Sequence, residues 1–364
     1  MPTPVPFRRR HHRRLLPIAF ATLPLTACVA AGPAVDEPPV ATAATTAGPS
    51  SLMPGSDLPP RFDLRRIEAI LADAPPPADF SQVDPDPSVP TPASVLGHEI
   101  GARFTRHEQM VDWCRRLAEA SPRVRLESYG RSTQGRPLFV LVISDPGNLD
   151  RLDEILAANA RLADPRTADA AARRIAIEDE PAVSWMSFNV HGNEASCMEA
   201  AMLVAYRLAA GRTEAVERTL ADSVVVIDPC LNPDGHARYV SFFQDRVGMD
   251  ADPFPMAAEH REPWPSGRPN HYLFDLNRDW VWGTQVESRQ RVPLYRRFRP
   301  QLHLDVHEQG IHSPYFLGAG DTPYHAEIPE ESRDWFEVFG RVMGASFDDR
   351  GFEFATRERF DYLY

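Results

Sequence analysis

Residues 188 to 200 read "FNVHGNEASCMEA", with His191 and Glu194 three positions apart at the end of an apolar run. An imidazole and a carboxylate at that spacing can share one cation. Gly192 and Asn193 allow a tight turn that swings Glu194 back beside the imidazole. Histidines plus a carboxylate, with one position left for water, are the donor set of catalytic zinc. The same spacing also arises by chance, as a histidine at a helix start followed by a solvated glutamate, so a metal reading needs another histidine.

"QLHLDVHEQGIH", residues 301–312, offers three. Period-2 alternation puts His303, Asp305 and His307 on one face of a strand. His307 is nearest the strand end and is the expected third ligand, with His303 a partly buried structural histidine. His307 to His312 reads HExxxH, not the HExxH of zincins, and Gly310 disfavours a helix there. No CxxC pair exists, which argues against a cysteine zinc site.

A third stretch, "GRPNHYLFDLNRDW" (267–280), carries Arg268, Asn277 and Arg278 with no acidic run to neutralise them. Such donors suit a carboxylate, which arginine grips through two parallel hydrogen bonds. Surface salt bridging in an arginine-rich chain is the competing reading.

These side chains must be held by strands that end where the site begins. "AVSWMSFNV" and "QLHLDVH" read as buried strands whose carboxyl ends deliver His191 and His307, where open α/β sheets place ligands. "RVRLESYG" and "PLFVLVISD" read as strands around the turn "GRSTQGR"; "DSVVVIDPCLNPDG" is a further strand broken by Asn-Pro-Asp-Gly. Helical periodicity marks "RHEQMVDWCRRLAEASP", 149–163, 167–174, "ASCMEAAMLVAYRLAAG" and "EESRDWFEVFGRVMGASFDDRG". "TQVESRQRVPLYRRFR" is also helical, kinked or broken at Pro293. Strands alternating with helices predict an α/β fold, a mixed, mostly parallel sheet between helices.

The chain has 364 residues and formal net charge −12, which argues against a nucleic-acid partner. Its 39 basic residues are all arginine, so arginine abundance alone carries no function. Residues 1–27 read as a signal peptide: an arginine-rich start, then an apolar stretch too short to span a bilayer. "LTAC" resembles a bacterial lipobox and predicts lipidation of Cys28, so the protein is expected to be exported, either as a lipoprotein facing the periplasm or in secreted form. Fourteen of the 36 prolines fall between Pro33 and Pro92, so residues 28–95 read as a tether, with a short helix in "RFDLRRIEAILADA", and 96–364 as the catalytic domain. Cys114, Cys197 and Cys230 allow at most one internal disulfide, with Cys197 and Cys230 able to meet.

Taken in order, "GRSTQGRPL", "HGNE", "LNPDG", "DLNRDW" and "DVH" resemble the zinc metallocarboxypeptidases, the carboxypeptidase A family, over roughly residues 96–364. The resemblance implies a carboxypeptidase A-like fold and one zinc per domain, held by His191, Glu194 and His307. It implies that Asp275 orients the first zinc histidine and that Asn277 and Arg278 bind the terminal carboxylate of a peptide. Arg268 matches the catalytic arginine that polarises the scissile carbonyl. The implied activity is hydrolysis of the C-terminal peptide bond by metal-activated water. "HGNEAS" and Glu308 depart from the pancreatic enzymes and resemble bacterial branches.

The family's general base is a glutamate on a late strand, well past the last zinc histidine. After His307 the late glutamates are Glu353 and Glu358, both in polar sequence. The expectation is that the base and the last strand or strands lie beyond residue 364, that Tyr362 and Tyr364 do not replace the family's mobile tyrosine, and that this stretch alone is inactive. Two other readings are a zinc amidase acting on peptidoglycan stem peptides and a non-catalytic peptide-binding module of the cell envelope.

Overall fold

The structure, a computed structural model, describes residues 64–73, 84–164, 166, 177, 180–310, 315–316, 325 and 327–355. The expected signal peptide, Cys28, most of the tether, the helix at 167–174, His312, Glu358, Tyr362 and Tyr364 lie outside the described residues. The described residues fall into two compact units, the first holding those from 84 to 308 and the second those of 64–73 together with those from 309 onward.

The first unit is built on a five-stranded sheet. Its strands are β1 (Val124–Arg131), β2 (Pro137–Ile143), β3 (Ala182–Phe188), β4 (Ser223–Asp228) and β5 (Leu302–Val306), in spatial order β1-β2-β4-β3-β5. The sheet is mixed, as expected: β4, β3 and β5 run parallel, while β2 pairs antiparallel with both β1 and β4. The turn between β1 and β2 closes through Gly135 at φ 80°, with its N–H on the Ser132 carbonyl.

Alternation along the strands builds two cores. Phe139, Leu141, Ile143, Val225, Ile227, Met186 and Phe188 face one way, against Met110, Trp113, Leu117, Met198 and Met202 of two helices, His107–Ala120 and Ser196–Ala210. Val140, Val142, Val224, Val226, Val183 and Trp185 face the other way, against Leu152, Ile155, Leu294 and Phe298 of helices Leu152–Ala163 and Val286–Phe298. Each fully buried side chain of this kind is worth roughly 1.5–3 kcal/mol, so both faces anchor the sheet. Pro293 lies inside Val286–Phe298 without ending it, because Leu294 and Phe298 keep that helix seated on the sheet.

Two stretches behave differently from their composition. Residues 84–95 of the proline-rich segment pack on the domain: Val89 is buried, the Asp86 N–H donates to Ala210 O at 2.7 Å, and Thr91 caps a short helix, Pro92–Leu96. Pro92 sits in that helix's first turn, where no N–H is needed. "NPDG" does more than break a strand. Asn232 accepts the Gly235 N–H at 3.0 Å and starts the helix Pro233–Arg246.

In the second unit, helix Leu64–Asp73 packs on helix Glu330–Asp348, with Arg66 Nη1 2.8 Å from Asp334 Oδ2. Tyr315–Phe316 pairs with Phe354–Ala355, and Met343 and Phe347 form its small core with Phe339 and Phe352. Among the described residues no helix is long and apolar enough to cross a membrane.

Candidate metal centre

Strands β3 and β5 are neighbours, with Phe188 opposite Val306. Their carboxyl ends therefore release His191 and His307 side by side. After Phe188 the backbone turns at Asn189, which holds φ 56°, a left-handed conformation that asparagine tolerates better than most residues. Its buried amide Nδ2 donates to the carbonyls of His191 (2.8 Å) and Glu194 (2.9 Å), and Cys230 Sγ donates to its Oδ1. The Glu194 N–H returns to His191 O at 3.1 Å, closing the turn that brings the carboxylate beside the imidazole.

His191 Nδ1 lies 2.9 Å from Glu194 Oε1, and His307 Nδ1 lies 3.0 Å from Glu194 Oε2. The opposite nitrogens are taken: His191 Nε2 donates to Asp275 Oδ1 at 3.1 Å and His307 Nε2 to Asp305 Oδ2 at 2.9 Å. Burial would raise the Glu194 carboxyl, but the hydrogen bonds and charges of the two histidines outweigh it and hold the group at about 2. Burial likewise opposes ionisation of Asp275, yet His191 and Arg268 hold its carboxyl well below the usual range.

Arg268 reaches the same point from another segment. Its Nη2 donates to Asp275 Oδ2 at 3.2 Å, and its Nη1 lies 3.7 Å from Glu194 Oε1. Asp275 thus serves His191 with one oxygen and Arg268 with the other, while its Oδ1 also accepts the Asn277 N–H at 2.8 Å. Asn277 follows in the turn Leu276–Arg278, and Arg278 is exposed, its Nη1 on the Asn277 carbonyl. Apolar residues beside these groups pin the loops: Val190, Leu231 and Leu276 are fully buried against one another, with Trp280 packed on them.

A zinc carboxypeptidase family model matches residues 110–301, more than half of the chain. The chain belongs to the zinc carboxypeptidase family. Family members are zinc-dependent peptidases. Among solved structures, the chain is similar to carboxypeptidase A from Helicoverpa armigera (15% identity, 82% of this chain and 64% of that one, TM-score 0.46). It is also similar to a metallo-carboxypeptidase from Pseudomonas aeruginosa in complex with (2-guanidinoethylmercapto)succinic acid (16%, 72% and 53%, TM-score 0.40). A third is a metallo-carboxypeptidase from Burkholderia cenocepacia (18%, 58% and 43%, TM-score 0.35). The chain spans less than two thirds of the length of each. No curated protein matches it.

The residues present fit the family's metal. Among the described residues, His191, Glu194 and His307 form the one group of three that can offer a ligand atom each, all within 4.8 Å of one another. Two imidazoles and a carboxylate are donors zinc accepts. The aspartates fix the tautomer: with Nε2–H donated to Asp275 and Asp305, each neutral imidazole would have its Nδ1 lone pair free for a metal bound beside the shared carboxylate. His303 stands apart from this group. It bonds Ser187 Oγ at 2.9 Å and its ring lies 5.2 Å from that of Trp280.

Several residues that build the site carry no motif. A Cβ on Gly192 would lie 2.2 Å from Gly235 C and His236 N, and 2.5 Å from Gly267 O, so three distant loops meet backbone to backbone. Across this junction the Gly192 N–H and Asn232 Nδ2 both donate to Arg268 O, at 3.3 and 3.0 Å. Glu262 holds Asn193 Nδ2 at 2.9 Å and accepts the Gly267 N–H. Glu308 accepts the Ser196 N–H at 2.6 Å and donates its own N–H to Glu194 Oε2 at 3.2 Å. Burial pushes the Glu308 carboxyl up to about 7, with the Glu194 charge adding to the rise. The three cysteines are free and buried, so Cys197 and Cys230 are not bonded; Cys230 is committed to Asn189.

Proposed function

We propose that this protein is an exopeptidase that removes C-terminal residues from peptides, with one zinc per domain held by His191 Nδ1, Glu194 and His307 Nδ1. The observation that carries the reading is the convergence of both Nδ1 atoms on the two oxygens of Glu194, each imidazole being fixed from behind by an aspartate. Zinc supplies Lewis acidity, polarising a carbonyl and acidifying water. The protein's own groups supply position. Arg268, beside Glu194 and braced by Asp275, faces the oxygen where negative charge develops. Asn277 and Arg278 receive the substrate's terminal carboxylate, the exposed guanidinium offering a planar fork.

Two measurements test this. Metal analysis is expected to give one zinc per chain, lost in His191→Ala and His307→Ala. With the full-length protein as the enzyme, peptides with a free C-terminus are expected to be shortened from that end while C-terminally amidated ones are spared. Equal cleavage of both would refute carboxylate recognition by Asn277 and Arg278. Release of the stem peptide from peptidoglycan would favour a zinc amidase, and zinc binding without turnover an envelope binding module. We also propose export with lipid-modified Cys28, which mass spectrometry of the mature N-terminus decides; an unmodified terminus downstream of Cys28 would refute it.

A further inference from the structure

Arg291 is fully buried, and none of its three guanidinium nitrogens has a hydrogen-bond partner in the fold. A buried charge left in that state is strongly unfavourable unless other groups compensate it. Its guanidinium carbon stacks 4.0 Å from the centre of the Trp280 ring, which supplies part of that compensation. Trp280 in turn packs against His303 and Tyr295.

The rest must come from acidic groups at the carboxyl ends of β4 and β5. Asp228 is fully buried and takes the Tyr129 hydroxyl at 3.0 Å. Burial pushes its carboxyl up to about 7, with the charge of Arg291 pulling it down and that of Asp305 adding to the rise. The same two charges act in opposite senses on His303. Ser187 of β3 stands opposite both Asp228 and Asp305, and Arg291 stacks on the Trp280 that packs against His303, two residues before Asp305, so all three charged groups lie over one face of the sheet. Asp305 Oδ1 is buried and unpartnered, although Oδ2 of the same carboxylate holds His307 Nε2 at 2.9 Å. A cation and a carboxylate oxygen, both buried and without hydrogen-bond partners, thus lie over the face that carries Asp305, the residue bonded to the third metal ligand.

We propose that Arg291 is the positioning residue for His307: through its charge, and through water bridged to its guanidinium, it keeps Asp305 aimed at His307 Nε2. Without Arg291, the buried Oδ1 of Asp305 would face no positive charge, and Asp305, itself partly exposed, would turn outward to water. His307 would then lose the partner that fixes its tautomer and ring angle. The inference rests on the metal-centre reading and adds a group that touches neither metal nor substrate.

The test is zinc affinity, measured by competition with a chelator, for the wild type, Arg291→Met, Asp305→Asn and the double variant, alongside the stability of each metal-free form. Arg291→Met is expected to weaken zinc by roughly 10-fold or more, the range seen when a partner of a ligand is removed. The double variant is expected to be little worse than the worse single one, because both act along one path. If Arg291→Met does not fold, Arg291→Lys carries the test: it keeps the charge but lacks the planar fork, and a smaller but real loss is expected. Zinc affinity unchanged in either variant, whatever the loss of metal-free stability, or losses that simply multiply, would overturn the proposal. A wild type that binds no zinc would sink the metal centre and this inference together, whereas a zinc-binding wild type matched by Arg291→Met would sink this inference alone.

Discussion

Gly192→Ala is the sharpest test of how the site is assembled, because the perturbation is one methyl group with a computable effect. The added Cβ would sit 2.2 Å from two backbone atoms and 2.5 Å from a third, none of which belongs to a flexible side chain. Reaching ordinary carbon contact requires those segments to part by about 1.3 Å. Overpacking of this kind costs roughly 1–3 kcal/mol, and the upper end applies where only backbone can yield. The Gly192 N–H to Arg268 O bond, already 3.3 Å long, would be lost as well, worth about 1 kcal/mol. A destabilisation of about 3–4 kcal/mol is expected in urea unfolding of the metal-free protein. Because the same shift moves Arg268 against Glu194, peptidase activity is expected to fall by about 100-fold in whatever folded fraction remains. Gly97→Ala is the control. Its Cβ would meet nothing within 4 Å, but φ is 74°, so a loss of about 1–2 kcal/mol with unchanged zinc affinity is expected. If Gly192→Ala unfolds within about 0.5 kcal/mol of the wild type, the three-loop junction does not exist as described and the placement of Arg268 falls with it.

Asp275→Asn is expected to weaken zinc by about 10–100-fold in chelator competition, since one amide cannot accept from both His191 and Arg268. His303→Ala is expected to retain stoichiometric zinc while His307→Ala loses it; equal loss on metal analysis would show that the wrong histidine of β5 was chosen. Glu199, buried on the two Thr105 donors, is raised to about 7 chiefly by burial, so its contribution is complete below the unfolded value near 4.5 and is lost as pH rises through 7. Unfolding free energy is therefore expected to fall by up to about 3 kcal/mol across that window, and Glu199→Gln to flatten the slope; an unchanged slope would refute the assignment.

The parts of the site visible in the sequence are those whose side chains meet at the candidate metal centre. His191, Glu194 and His307 show because ligand types recur at strand ends, and Asp275 and Arg268 because a familiar order of short motifs placed them. The strands were readable for a similar reason: Phe139–Ile143 of β2 and Val224–Ile227 of β4 alternate between the two cores, which leaves continuous apolar runs. Sheet order was not readable, since β3 reaches β5 over more than a hundred residues and nothing local records which neighbour it will meet. Asn189 was missed because its amide acts on nearby backbone carbonyls and marks no motif, and Glu262 and the Gly192 junction because they join segments far apart in the chain. Arg291 was hidden by its surroundings: in "VESRQRVPLYRRFR" it is one arginine among five, and only packing shows that it alone among them is fully buried.

The charge arrangement at the centre follows one plan twice. His191 is backed by Asp275, and Asp275 is braced by Arg268. His307 is backed by Asp305, and Arg291 lies over the sheet face on which the other oxygen of Asp305 is buried. Three carboxylates gathered around two imidazoles would repel one another if nothing positive lay between them. Each arginine stands beside one aspartate, while Glu194 meets a histidine Nδ1 with each oxygen, the Glu308 N–H at Oε2 and the more distant Arg268 at Oε1. Hydrogen bonds from those imidazoles to Glu194 need a proton on Nδ1 in addition to the Nε2 proton given to an aspartate, so both rings would have to be cations at once. A divalent cation would remove that need: it would accept both Nδ1 lone pairs and the carboxylate and leave every Nε2–H where it is.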